Sequence, residues 1–234
     1  MRIVSWNCRM AFRNKYKKMY RYNPDIMVIP ECEDLSKKKH EVFYNDFKWV
    51  GLDGKKGLGI FSLNEKYNLK IHENYTEEFQ YIVPVVVSDD DESFLLFAVW
   101  TKGNKSMRKE ETYIGQLYLA LLRYEHLLNE KCIIAGDFNS NAIWDDLRRN
   151  NHSTVVELLM KKNISSVYHK MSGEETGKET VYTYLHNSPK KPYHIDYIFA
   201  SESLISKSNH FNIESMALLS ELNSDHVPLI FEFK

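Results

Sequence analysis

Several apolar runs in this sequence are interrupted at one end by a residue able to bind a metal or a phosphate. Residues 2–6 run into Asn7, residues 26–29 into Pro30-Glu31, and residues 132–135 into Gly136 and Asp137, with Asn139 and Asn141 just beyond. Two later runs begin that way instead: Asp196 sits near the start of HIDYIFAS, and Asp225-His226 stands directly before VPLIFEF. Each residue alone has an ordinary reading, because Asp and Asn are common turn formers, a glutamate can cap a helix and a histidine can hold a backbone carbonyl. Polar interruptions that all fall at strand ends point instead to one shared site. The donor types define its chemistry. Carboxylate and amide oxygens, with no thiolate cluster, suit a hard cation, Mg2+ or Mn2+, better than structural zinc. Such an ion together with an Asp–His pair suits hydrolysis of phosphate esters. The cation offsets phosphate charge, a carboxylate orients or deprotonates water, and amides and an imidazole hold the non-bridging oxygens.

Strands must carry these residues to one edge. Runs that finish at the edge and runs that start there have opposite directions, so the pattern implies mixed sheets with one polar rim. Further strands are expected at 67–71, 81–87, 94–100, 181–185, 194–200, 210–218 and 227–233, with a hairpin in GLDGKKGLGIFS. Helical spacing of apolar residues predicts helices over 10–22, 109–128 and 154–162. The acidic stretch 89–92 reads as an exposed turn. With no linker, repeat or low-complexity tract, residues 1–234 are expected to form one α/β domain.

Composition narrows the class. A chain that is 43% hydrophobic can bury a substantial core, and a formal net charge of −1 provides no global basic field for coating nucleic acid. Cys8, Cys32 and Cys132 lie in apolar runs and are not a disulfide framework. The opening MRIVSWNC reads as a strand rather than a signal peptide, and no apolar stretch approaches a bilayer span. The expectation is a reduced, cytoplasmic protein with no membrane contact, monomeric by default.

Five blocks now appear in a familiar order: Trp6-Asn7, Pro30-Glu31, GDFN at 136–139, IDYIF at 195–199 and SDH at 224–226. Together they resemble the endonuclease/exonuclease/phosphatase superfamily, the DNase I-like fold that includes exonuclease III-like enzymes. The resemblance implies a four-layered α/β sandwich, two mixed sheets flanked by helices, with the site at one end. It makes Glu31 the main Mg2+ ligand, with Asn7 beside it and Asp225 close by. It has Asp137 orient the attacking water, Asn139 hold the scissile phosphate, and Asp196 pair with His226, leaving the general base open between Asp137 and His226.

The departures bear on substrate. Trp100-Thr101 stands where many members carry His or Tyr, so Lys102 or Lys105 would supply the missing phosphate contact. Glu31 follows proline rather than glutamine, His194 stands where arginine is common, and no tryptophan lies between Thr183 and Asp196. The basic residues Lys102, Lys105, Arg108 and Lys109, with Trp100 and Trp144 as stacking surfaces, favour nucleic acid, DNA first, as the substrate. A phosphatase or diesterase for a small phosphorylated molecule is the alternative. A non-catalytic binding protein is a third reading, opposed by so many costly polar groups.

Overall fold

In the computed structural model, which describes residues 1–103, 108, 111–128, 131–145 and 150–234, strand alternation generates three apolar layers. The first sheet takes the order β13-β14-β1-β2-β4-β3, where β1 is Arg2–Ser5, β2 Ile26–Cys32, β3 Asp46–Gly51, β4 Gly57–Ser62, β13 Ser208–Ile213 and β14 Leu229–Phe233. The second takes the order β5-β6-β7-β8-β12-β9, where β5 is Asn68–Ile71, β6 Ile82–Ser88, β7 Ser93–Trp100, β8 Cys132–Asp137, β9 Ile164–Ser166 and β12 Asp196–Ser201. Each sheet contains one parallel pair, β1 with β2 and β7 with β8, among antiparallel neighbours. The sheets are therefore mixed, as the directions of the ligand-bearing runs require.

Ile3, Val28 and Ile60 of the first sheet and Val85, Ala98 and Ile133 of the second face each other in the central core. Their sequence neighbours point outward, as the two-residue period of a strand dictates. Val4, Met27 and Phe61 pack under Phe12, Met19 and Leu222. Phe97, Ile134 and Phe199 pack under helix α2 (Ile114–Arg123) and helix α3 (His152–Met160). Helix, sheet, sheet, helix: this is the four-layered sandwich.

Several expected elements differ. The helix over 10–22 is reduced to a 3-10 turn at Phe12–Asn14 and α1 at Tyr16–Tyr20. Before it, Arg9, Met10 and Ala11 all have positive φ, at 49°, 67° and 54°. Tertiary partners outweigh the local periodicity here: the buried Glu33 carboxylate accepts Phe12 N at 2.7 Å and Arg13 N at 3.1 Å. The helix over 109–128 shortens to α2, stopped on its N-terminal side by Tyr113 in a conformation no helix can contain (φ 52°, ψ −122°); Lys109 lies outside the described residues. The run 181–185 becomes β10 (Tyr184–Asn187), which pairs with β11 (Lys190–Tyr193) in a separate ribbon. Instead of one strand over 210–218 there is β13 followed by a 3-10 turn that Ser215 caps by accepting Ala217 N.

No helix among the described residues is long and apolar enough to cross a membrane.

Candidate active site

Strand ends build the site. β1, β2 and β8 finish at one edge, while β12 and β14 start there. Trp6 N and Cys8 N continue the parallel pairing onto Val28 O and Pro30 O at 3.0 and 3.1 Å, which sets Asn7 beside Glu31. Glu31 itself occupies a bulge where the β2–β4 register shifts, with φ at 63°. A non-glycine residue in this region costs on the order of 1–2 kcal/mol, so the surrounding strands hold it there. Gly136 has φ 147°, and a Cβ there would sit 1.8 Å from Val99 O; only glycine lets β8 lie this close to β7.

Asp137 is 1% exposed and tightly held. Its Oδ2 accepts Asn7 Nδ2 and Asn139 Nδ2, both at 2.9 Å, and its Oδ1 accepts Asn139 N at 2.9 Å. Asn139 suits its left-handed φ of 45° and also donates Nδ2 to Thr101 O at 3.1 Å. Across the β8–β12 pairing, Asp196 stands in register with Asp137. Its Oδ2 accepts Thr183 Oγ1 at 2.7 Å and bonds His226 Nδ1 at 2.8 Å. Thr183 Oγ1 in turn accepts the backbone N–H groups of Ile195 and Asp196, both at 3.0 Å. Ser224 Oγ donates to Asn7 O at 2.8 Å and accepts His226 N at 3.2 Å, and Trp6 Nε1 donates to His226 O at 3.0 Å. The Tyr184 ring packs against His226 with centroids 4.6 Å apart.

Burial and the neighbouring Asp196 charge push the Asp137 carboxyl up to about 7, against the opposing pull of His226 and the amide donors. Burial works to lower the His226 imidazole, but the Asp196 charge and hydrogen bond outweigh it and raise it to about 9.

The structure thus gathers Asn7, Asp137, Asn139, Asp196 and His226 into one hydrogen-bonded cluster. Glu31 and Asp225 flank Asn7: Glu31 Oε2 lies 2.8 Å from Lys56 Nζ, and Asp225 Oδ2 lies 3.7 Å from Arg9 Nε. Two expected contacts change character. Trp100 is 2% exposed in the central core against Tyr81, so its ring cannot stack on a base. Asn141 is buried too. Its Nδ2 donates to Glu179 Oε2 at 3.0 Å, His194 O at 2.9 Å and Tyr197 OH at 3.1 Å, which ties up the amide away from any substrate. Trp144 is 44% exposed against Tyr193, and Lys102 lies near Glu31, while Lys105 falls outside the described residues. Thr183, Tyr184, Lys56 and Glu179 carry no local signal: a lone hydroxyl or acid gains a role only from what the fold sets against it.

Two groups of ligand atoms suit a cation. Those of Asp137, Asp196 and His226 lie within 4.8 Å of one another, but they are already engaged by Asn7, Asn139, Thr183 and each other. Glu31 already faces a positive charge, the Lys56 ammonium. Its oxygens, with those of Asn7 and Asp225, are the hard donor types that Mg2+ or Mn2+ prefers.

Two six-stranded mixed sheets in a four-layered sandwich, with a carboxylate–amide–imidazole cluster where the strand ends meet, define the DNase I-like class. The chain belongs to the Endonuclease/Exonuclease/phosphatase family, whose profile matches residues 4–226. Its fold is shared with the endonuclease domain of TRAS1, a telomere-specific non-LTR retrotransposon (TM-score 0.70, 16% identity, covering 100% of this chain and 98% of that one). An AP endonuclease from Archaeoglobus fulgidus is as similar (0.70, 17%, 100% and 99%). TDP2 of D. rerio, solved with a single-strand DNA product, follows (0.65, 19%, 100% and 98%). No curated protein matches the sequence significantly.

Proposed function

We propose that this protein is a Mg2+- or Mn2+-dependent phosphodiesterase acting on nucleic acid, with DNA the first candidate, and that residues 1–234 work as one catalytic unit. The observation that carries the reading is the clamping of Asp137 between Asn7 and Asn139, beside the Asp196–His226 pair. Asp137, held on both oxygens and close to neutrality, accepts the proton of the attacking water. Nε2 of His226 holds a non-bridging oxygen, because Nδ1 is committed to Asp196; Asn139, expected on the phosphate, instead donates Nδ2 to Asp137 and Thr101 and so fixes the carboxylate. As water oxygen bonds to phosphorus, the ester P–O bond breaks and the leaving oxygen takes up a proton. Glu31, with Asn7 and Asp225, would hold the divalent ion, which when bound would offset charge on the phosphate.

A nucleotide fits the surroundings. Asn139, Trp144, Tyr184, His186, Tyr193 and Ile195 line an open cleft of ≈ 320 Å³. The adjoining β10–β11 ribbon carries Lys190 and Lys191, and Trp144 and Tyr193 pack with centroids 4.8 Å apart. Aromatic surfaces beside lysines stack on unpaired bases, contacts worth ~1–3 kcal/mol each. The test is a panel of plasmid, single-stranded DNA, abasic duplex, RNA and small phosphodiesters with Mg2+ and with EDTA. Metal-dependent cleavage of polynucleotide is expected. Turnover of small esters alone would replace nucleic acid with a small phosphorylated substrate, and full activity in EDTA would remove the metal from the reading.

A further inference from the structure

We propose that Lys56 and Lys102 form a second anion subsite, which binds a phosphate group neighbouring the one that is hydrolysed. Lys56 stands directly before β4, at the base of the β3–β4 hairpin; Lys102 follows β7 by two residues. They come from different sheets, yet both reach the same buried ring: Lys56 Nζ is 5.3 Å and Lys102 Nζ 4.4 Å from the Trp100 centroid. Lys102 Nζ is also 5.0 Å from the Tyr81 centroid. Trp100 and Tyr81 are 2% and 6% exposed and pack with centroids 4.8 Å apart, so they make a fixed floor. Trp100 therefore does serve the site, as a platform for cations rather than for a base.

Two ammonium groups over one ring repel each other, and burial followed by the Lys56 charge lowers the Lys102 ammonium below the usual lysine range. Their close counter-charges are Glu31, 2.8 Å from Lys56 Nζ, and, for Lys102, Asp53 as well. Glu31 is also the carboxylate assigned above to the divalent ion. Once its charge is shared, Asp53 alone is left to two ammonium groups, and a phosphate supplies the further anion. The subsite lies next to the reaction centre. Thr101, between Trp100 and Lys102, donates its N to Asp137 O at 3.0 Å and accepts Asn139 Nδ2 on its carbonyl. The substrate class that follows carries two phosphates on neighbouring sugars: an internal strand segment, or a strand end bearing a terminal phosphate. That the second phosphate neighbours the hydrolysed one rests on the proposed phosphodiesterase activity; that the lysine pair binds phosphate rests on Glu31 sharing its charge with a divalent ion, not on turnover.

The experiment is equilibrium binding by calorimetry at low salt, with Ca2+ as a hard divalent ion for the Glu31 oxygens and in parallel in EDTA, the ratios below being those with the ion present. The probes are a thymidine dinucleotide, the same dinucleotide with a 5′-phosphate, and the unphosphorylated trinucleotide. A charge-assisted phosphate contact predicts about tenfold tighter binding of the 5′-phosphorylated dinucleotide than of the plain one. K56M and K102M should each shrink that ratio to roughly threefold, and the double variant should bring it to about one. An equal gain for the trinucleotide assigns the subsite to internal phosphates; a gain confined to the 5′-phosphate assigns it to strand ends. K17M removes a lysine that lies over the Tyr16 ring on the opposite side of the first sheet. A wild-type ratio below about twofold, or an equal collapse in K17M, overturns the subsite. Because no step requires turnover, a failure to cleave any diester would refute the activity and leave this ratio to be judged separately.

Discussion

Asp196 and His226 meet at 2.8 Å although 30 residues separate them, and this contact yields the sharpest prediction. If they act as one unit, Asp196→Asn, His226→Ala and the double variant should each lower kcat by a similar factor, on the order of 10²–10⁴, with KM little changed. Steady-state kinetics of the three variants checks this, and additive losses would separate the two roles. Glu31→Gln should instead raise the Mg2+ concentration needed for half-maximal rate, measured by metal titration of activity. The residues behind both predictions were legible in the sequence because each breaks an apolar run, and a polar break at a strand end is costly without a partner. Trp100 and Asn141 were legible as polar or aromatic markers but not in role, since burial is decided by what packs on them. Glu33 and Thr183 were invisible for the opposite reason: isolated acids and hydroxyls are common on any surface, and only the fold turns them inward.

Between the reactive groups lies a brace made of loops. Glu179 accepts His169 Nε2, Asn141 Nδ2 and Gly177 N, each at 3.0 Å, and these bonds overcome its burial to keep the carboxyl down at about 2. Four residues on, Thr183 grips Asp196. One segment therefore fixes both the loop that carries Asn139 and the carboxylate that orients His226. Glu179→Ala should cost kcat more than KM, with Glu179→Gln restoring part of the rate through the Asn141 bond; equal losses in both would make Glu179 a purely structural acid. Beside this brace sits His152, whose two ring nitrogens have no partner among the described residues and which packs on Tyr197. Burial lowers its imidazole to about 4, against the attraction of the Asp145 and Glu179 carboxylates and with the help of His169 and His194. The folded state thus resists a proton that the unfolded chain takes up near pH 6.5. Stability should be full above that value and fall as pH drops toward 4, by roughly 2 kcal/mol at pH 5 from this group. Urea unfolding at pH 7 and pH 5 measures the loss, and His152→Phe should flatten it. None of this brace was expected from sequence. Long helices and strands announce themselves by period, whereas a loop joined by side-chain bonds has no period to detect.

At the scale of the whole molecule, strand directions were deducible and strand order was not. Runs that end on ligands and runs that begin with them require mixed sheets, but nothing local says that β14 inserts between β13 and β1. That insertion brings residues 1 and 233 together: Met1 N donates to Phe233 O at 2.6 Å, and Arg2 pairs with Glu232 at 2.7 Å. It also sets the order in which the molecule can come alive during translation. The first strand emerges from the ribosome early and waits beside an open edge until its neighbour, residues 229–233, has been made. His226 precedes that strand by three residues and arrives with it. Until residues 223–234 clear the exit tunnel, the nascent chain lacks both the strand that pairs with β1 and one member of its reactive pair. A chain stopped after Leu222 should therefore be devoid of hydrolytic activity and open to limited proteolysis in residues 2–5, and adding back a peptide covering 223–234 should slow that digestion. A site built this way stays unassembled on the ribosome until residues 226–233 have joined the first sheet.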